Sequence, residues 1–147
     1  MTPERIHPTR ALKSVRMVAL LALMIAVVGA DVPAPDAGIA AAQAWLKLID
    51  QHKYAQSWRD ASSFFRSQIS EDRWESRINE VRAPLGPLVS RKLGITEPTT
   101  SLPGAPDGHY LVLQYQSSFA QKHAAIETVV MMLDDDGHYR TTGYFIR

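Results

Sequence analysis

Residues 107–147 read DGHYLVLQYQSSFAQKHAAIETVVMMLDDDGHYRTTGYFIR, and the fold turns on how this run is divided. Polar and apolar residues alternate with a period of two, the signature of half-buried strands. AQKH and DDDG interrupt the alternation as turn-rich links. The division predicts strands over His109–Phe119, Ala124–Asp134 and His138–Arg147. Working outward, LVSRKLGIT (Leu88–Thr96) has the same period and reads as an earlier strand, joined through the turn-rich LPGAPDG. Short links imply adjacent strands, so an antiparallel meander in the order 1-2-3-4 is expected.

The tetrapeptide DGHY occurs twice, at 107–110 and 136–139, each time after a turn and at the same end of such a sheet. His109 and His138 are therefore the candidate metal ligands. Their strands are separated by a third, so roughly 10 Å lies between them, whereas zinc sits about 2 Å from each nitrogen. The simpler reading is that Asp-Gly supplies the turn and the tyrosine starts a strand, so no metal or other cofactor is predicted. Five-residue spacing puts Tyr110 and Tyr115 on opposite faces, and likewise Tyr139 and Tyr144, unless a bulge intervenes.

Ahead of the strands the apolar spacing is helical. Asp36 is the expected N-cap of AGIAAAQAWLKLIDQ, with the stripe Ala41, Trp45, Leu48 and Ile49. A second short helix carries Tyr54, Trp58 and Ala61. Ser62–Ser70 reads as a break, and Ser70 then caps a third helix with the stripe Trp74, Ile78, Val81 and Leu85. Three helices followed by four strands predict an α+β domain with helices packed on one face of the sheet.

Residues 1–30 look separate from this domain. Arg5, Arg10, Lys13 and Arg16 precede the apolar run MVALLALMIAVV, which is too short to span a bilayer. Val28-Gly29-Ala30 and the prolines at 33 and 35 complete the layout of a cleavable secretory signal, with an uncleaved membrane anchor as the alternative. The expected organisation is a signal at 1–30, a linker at 31–36 and one domain at 37–147, exported to the periplasm of a Gram-negative bacterium. The chain has no cysteine, so neither disulfides nor a lipidated cysteine is available. Four of the 16 basic and one of the 15 acidic residues lie before position 31, which leaves 12 and 14, a net −2. Such a domain lacks the positive footprint of a nucleic-acid binder.

AAQAWLKLIDQHKYAQSWRDAS, SEDRW, PLGPLVSRKL and the closing DGHYRTTGYFIR together resemble the uncharacterised bacterial secreted family called domain of unknown function 4019. The resemblance covers nearly all of Ala37–Arg147. More broadly the chain is similar to the nuclear-transport-factor-2-like (cystatin-like) fold, in which helices on a curved sheet form a cone. That fold commonly has a short strand among its helices, which only SSFFRSQ could supply here. The resemblance implies architecture and an extracytoplasmic address, and it carries no catalytic residues.

Charges on apolar faces are the other place to look for chemistry. Val89, Arg91, Leu93 and Ile95 are expected on one face of the first strand, and Glu127 with Val129, Met131 and Leu133 on one face of the third. Arg91 and Glu127 can meet across the intervening strand as an ion pair, or a bulge at Gly94 turns Arg91 outward, or Arg91 holds a ligand carboxylate or phosphate. Trp45 and Trp58, with Tyr115, would line a pocket for an apolar or anionic small ligand, although aromatic residues at helical spacing are usually core. Asp60 and Glu127 are the candidate general bases should the chain be a small isomerase, dehydratase or hydrolase of the kind this fold hosts. Sequences for a nucleophilic serine elbow, a phosphate-binding glycine loop or a cysteine nucleophile are missing, and Asp134-Asp135-Asp136 lacks calcium-loop spacing. A non-catalytic domain that binds a ligand in its cone or a partner on its sheet is the favoured reading. The third strand is apolar on both faces, so a homodimer through the sheet is expected.

Overall fold

The computed structural model describes residues 32–147, and the expected signal at 1–30 lies outside the described residues. Four α-helices come first: Pro35–Asp50 (α1), Tyr54–Arg59 (α2), Ser63–Gln68 (α3) and Glu71–Arg82 (α4). A 3-10 turn at Ala83–Leu85 leads into Leu88–Thr99 (β1), Tyr110–Phe119 (β2), Lys122–Leu133 (β3) and Tyr139–Ile146 (β4). The strands form one sheet in the order β1-β2-β3-β4, antiparallel throughout. The architecture is the expected α+β arrangement of helices followed by a meander.

The helical half differs from expectation in three places. Residues 62–70, read as a break, contain α3, because the Ser62 hydroxyl accepts the Phe65 N–H at 3.1 Å and caps a six-residue helix. Phe65 then packs edge-on against Trp74, with centroids 5.0 Å apart. The first helix starts at Pro35, inside the expected linker, so Asp36 lies in its first turn rather than at its N-cap. Proline suits that place because its missing N–H would have had no helical partner. Finally, Val81 is exposed and Arg82 is buried, so the stripe of α4 runs Trp74, Ile78, Arg82.

Three of the four register irregularities in the sheet decide which side chains face the helices. In β1, Arg91 lies opposite Ser117 and Leu93 opposite Tyr115, but past Gly94 it is Thr96 that lies opposite the core residue Leu113. Ile95 is therefore turned to the outer face, where it is 48% exposed. A second irregularity between Leu88 and Ser90 throws out Val89, 67% exposed. The four residues expected on one face thus divide, with Arg91 and Leu93 inward and Val89 and Ile95 outward. The extra residue in β4, between the partners of Val130 and Met131, has the opposite effect. It brings Tyr139 and Tyr144 to the same face, and both pack against the core.

The core lies between the helices and the inner face of the sheet. It is built from Ala42, Trp45, Leu46 and Ile49 of α1, Trp74 and Ile78 of α4, and Leu111, Leu113, Tyr115, Val129 and Met131 of the sheet. Helix α1 lies close against the strands at Gly38, where an added Cβ would stand 2.7 Å from Leu111 Cδ2. No helix among the described residues is long and apolar enough to cross a membrane.

Candidate functional site

The most chemically charged place in the fold is a cluster buried at one end of the helix–sheet interface. Asp50 ends α1 and Arg82 ends α4, while Arg91 comes from β1 and Glu127 from β3. Arg91 Nε donates to Glu127 Oε2 at 2.6 Å and its Nη2 to Glu127 Oε1 at 3.0 Å. The same guanidinium reaches Asp50 through Nη1 at 2.7 Å and Nη2 at 3.0 Å. Arg82 bridges the same two carboxylates, at 2.8 Å to Asp50 Oδ1 and 3.2 Å to Glu127 Oε1. Two positive and two negative groups thus neutralise one another, which is the condition for burying them.

Hydroxyls complete the network. Tyr144 donates to Glu127 Oε1 at 2.6 Å while accepting from Arg82 at 3.1 Å. Ser117 donates to Glu127 Oε2. Glu127 is fully buried and accepts five hydrogen bonds across its two oxygens. Arg82 also lies over the Phe119 ring, 4.6 Å from its centroid, a cation–π contact.

The electrostatics follow from these contacts. Burial raises the Asp50 pKa, but hydrogen bonds and charge from Arg91 and Arg82 outweigh it and hold the carboxyl below its ordinary value. Burial opposes charge on Arg91 too, and hydrogen bonds to Asp50 and Glu127 more than offset it. Burial and then the Glu127 charge push the Tyr144 hydroxyl well up, so it stays a donor. Asp50 also sits at a helix C-terminus, where a negative charge opposes the dipole, which makes its two arginines necessary.

A pH dependence follows. A carboxyl depressed in the folded state adds stability that is complete above its unfolded pKa of about 3.9 and lost as pH falls through the folded value. The melting temperature should therefore hold from neutrality to about pH 4 and then fall, and Asp50→Asn should remove part of that acid-side slope. Scanning calorimetry between about pH 2.5 and 7 checks this.

The remaining candidates are dispersed. The Trp45 indole donates to Ser57 O at 2.8 Å and Trp58 to Ile69 O at 2.8 Å, so both rings fasten helices to one another. Tyr115 is buried beside Leu93 and Glu127 in the register, and its hydroxyl has no protein partner. Asp60 is exposed at the end of α2, takes a 3.5 Å contact from Gln56, and shares no hydrogen bond with Glu127. It borders a depression of about 390 Å³ together with Trp45, Tyr139 and Arg140. His109 and His138 are exposed, and His138 contacts its own turn through Asp136. Among the described residues no three His, Asp or Glu side chains are grouped as a metal site.

Asp50 and Arg82 escaped the sequence reading, although a signal was present. Asp50 follows Ala42 and Leu46 at intervals of four, and Arg82 follows Trp74 and Ile78 in the same way. A charge on a buried helical stripe marks a partner elsewhere.

The cluster leaves little chemistry open. Five donors occupy Glu127, and Arg91 has four hydrogen bonds directed inward, which leaves no free fork for a ligand. A depression of about 410 Å³ reaches it only at the edge, along Asp50, His52, Arg82 and Leu88. No curated protein matches the chain. The family model described as protein of unknown function (DUF4019) matches residues 41–144, which include all four charges of the cluster, and the chain belongs to that family.

Proposed function

We propose that this chain is an exported, non-catalytic binding domain that engages another protein through the outer face of its sheet. The basic lead-in, apolar run and small-residue site of residues 5–30 support export. The observation that carries the binding reading is the apolar surface left on the sheet. Phe145 is 64% exposed and Ile95 48%, at the two edges of a row completed by Gln114 and Thr128. The half-buried Val112 and Ile126 add apolar character in the neighbouring rows, where Val130 is itself buried. Solitary exposed apolar residues need no explanation; here two of them share one row of one face with half-buried valine and isoleucine beside it.

The interior supports this choice over a ligand held in a cone. Trp45, Trp74 and Tyr144 fill the space beside the cluster, with centroids 6.0 Å and 5.5 Å from Trp45. The carboxylate best placed to act as a buried base, Glu127, is already surrounded by donors. Native mass spectrometry of the protein purified from its export compartment tests the reading. The expected result is a protein complex that Phe145→Asp abolishes. A small molecule retained equally by wild type and Phe145→Asp would overturn it.

A further inference from the structure

The outer face carries charge as well as apolar surface, and the charge is arranged in a self-matching way. Successive rows cross the four strands. The central row is Ile95, Gln114, Thr128 and Phe145. On one side lies Glu97, Val112, Val130 and Gly143. On the other lies Lys92, Gln116 and Ile126, with Arg147 joined to Ile126 by two backbone hydrogen bonds. Lys92 and Glu97 thus flank the central row on the same strand. Their common orientation depends on the extra residue at Gly94, because an odd spacing of five would otherwise place them on opposite faces.

Both charges are free. Among the described residues neither Lys92 nor Glu97 forms an ion pair. Lys92 borders a depression of about 520 Å³ whose rim also holds His123 and Arg147 and whose lining has no acidic side chain. A carboxylate arriving from outside would meet the Lys92 ammonium and the Arg147 guanidinium, with the His123 ring beside them.

We infer that the partner of this face is a second copy of the same chain, related by a two-fold axis lying along the central row. This rests on the sheet-face reading above and names its occupant. Such an axis leaves each strand facing its own copy but reverses its direction. Glu97 of each copy then faces Lys92 of the other, giving the two reciprocal pairs an isologous interface requires. Ile95 and Phe145 meet their own copies at the two ends of the axis, with Gln114 and Thr128 between them, and the side-chain-free Gly143 lies across from Arg147. Because the link before β2 already covers Tyr110, which is 1% exposed, about eight residues of each of four strands about 4.8 Å apart are free, a face of roughly 19 by 27 Å. Two such faces bury about 1,000 Å², the least expected of a specific interface.

Charge exchange tests the geometry. Light scattering after gel filtration at about 50 µM should show a dimer for the wild type. Lys92→Glu alone and Glu97→Lys alone each set like charges together and should weaken dimerisation at least about tenfold. The double variant Lys92→Glu/Glu97→Lys should recover it, which unfolding or general surface damage cannot imitate. Circular dichroism confirms that each single variant is folded, and Phe145→Asp should be a folded monomer. A monomeric wild type at this concentration would overturn the inference, as would a dimer indifferent to both single changes or a double variant no better than the singles. A monomeric wild type beside a Phe145-dependent complex in the export compartment would leave the sheet-face reading intact and reject only the identity of the partner.

Discussion

Glu127→Ala is expected to destabilise the domain by about 3–5 kcal/mol, the usual consequence of leaving buried charge without its partner. The carboxylate removed receives Arg82, Arg91, Tyr144 and Ser117. Without it, two guanidiniums share the one remaining carboxylate, that of Asp50. Glu127→Gln keeps the shape but removes the charge and replaces one acceptor with a donor, so it should recover little. Replacing Arg91 and Glu127 together by apolar residues should destabilise much less than the two single changes added, since Arg82 and Asp50 still neutralise each other. Urea unfolding of the four proteins measures the coupling. Equal additive losses would show that the charges act independently. Tyr115→Phe is the natural control, because its buried hydroxyl has no protein partner and its removal leaves none unpaired.

Trp45→Ala should have a similar effect by another route, about 3–5 kcal/mol. The ring is 4% exposed and lies between Trp74 and Tyr144, so truncation opens a cavity that rigid neighbours close poorly. It also removes the donor to Ser57 O, whose residue is fully buried. Trp45→Phe keeps much of the packing but loses that hydrogen bond, and should fall between alanine and wild type. Thermal melts of the three proteins check the order. If phenylalanine matched alanine, the hydrogen bond and not the ring volume would dominate.

The strand half was legible because its signals are local. Period-two alternation and Asp-Gly turns assigned the meander, with Gly137 at φ 79° in the second of the two turns. The expected meeting of Arg91 with Glu127 across β2 also appears, since both lie inward of a strand whose residues Tyr115 and Ser117 separate them. The bulges were less legible, because counting by twos carries no memory of an inserted residue. They moved Val89 and Ile95 outward and put Tyr144 into the cluster beside Glu127. Helix α3 lay outside the expectation because its six residues are too few to show a helical period, and one serine cap defines it. The cluster was half legible. Its strand charges stood out against apolar neighbours, while Asp50 and Arg82 sit near polar helix ends where charge is commonplace.

The four-charge cluster also bears on the order in which the chain can fold. Arg82 meets Glu127 at a separation of 45 residues and Tyr144 at 62. Hairpins such as β3–β4 close over a few residues, whereas these contacts require loops long enough to make their entropy substantial. Until β3 and β4 are in place, both arginines are better hydrated than buried, so docking of α1 and α4 gains little from this end. A chain that emerges helices first therefore waits for its last strand. The domain sets on completion, and the final hydroxyl to arrive, on Tyr144, closes the polar network begun at Asp50.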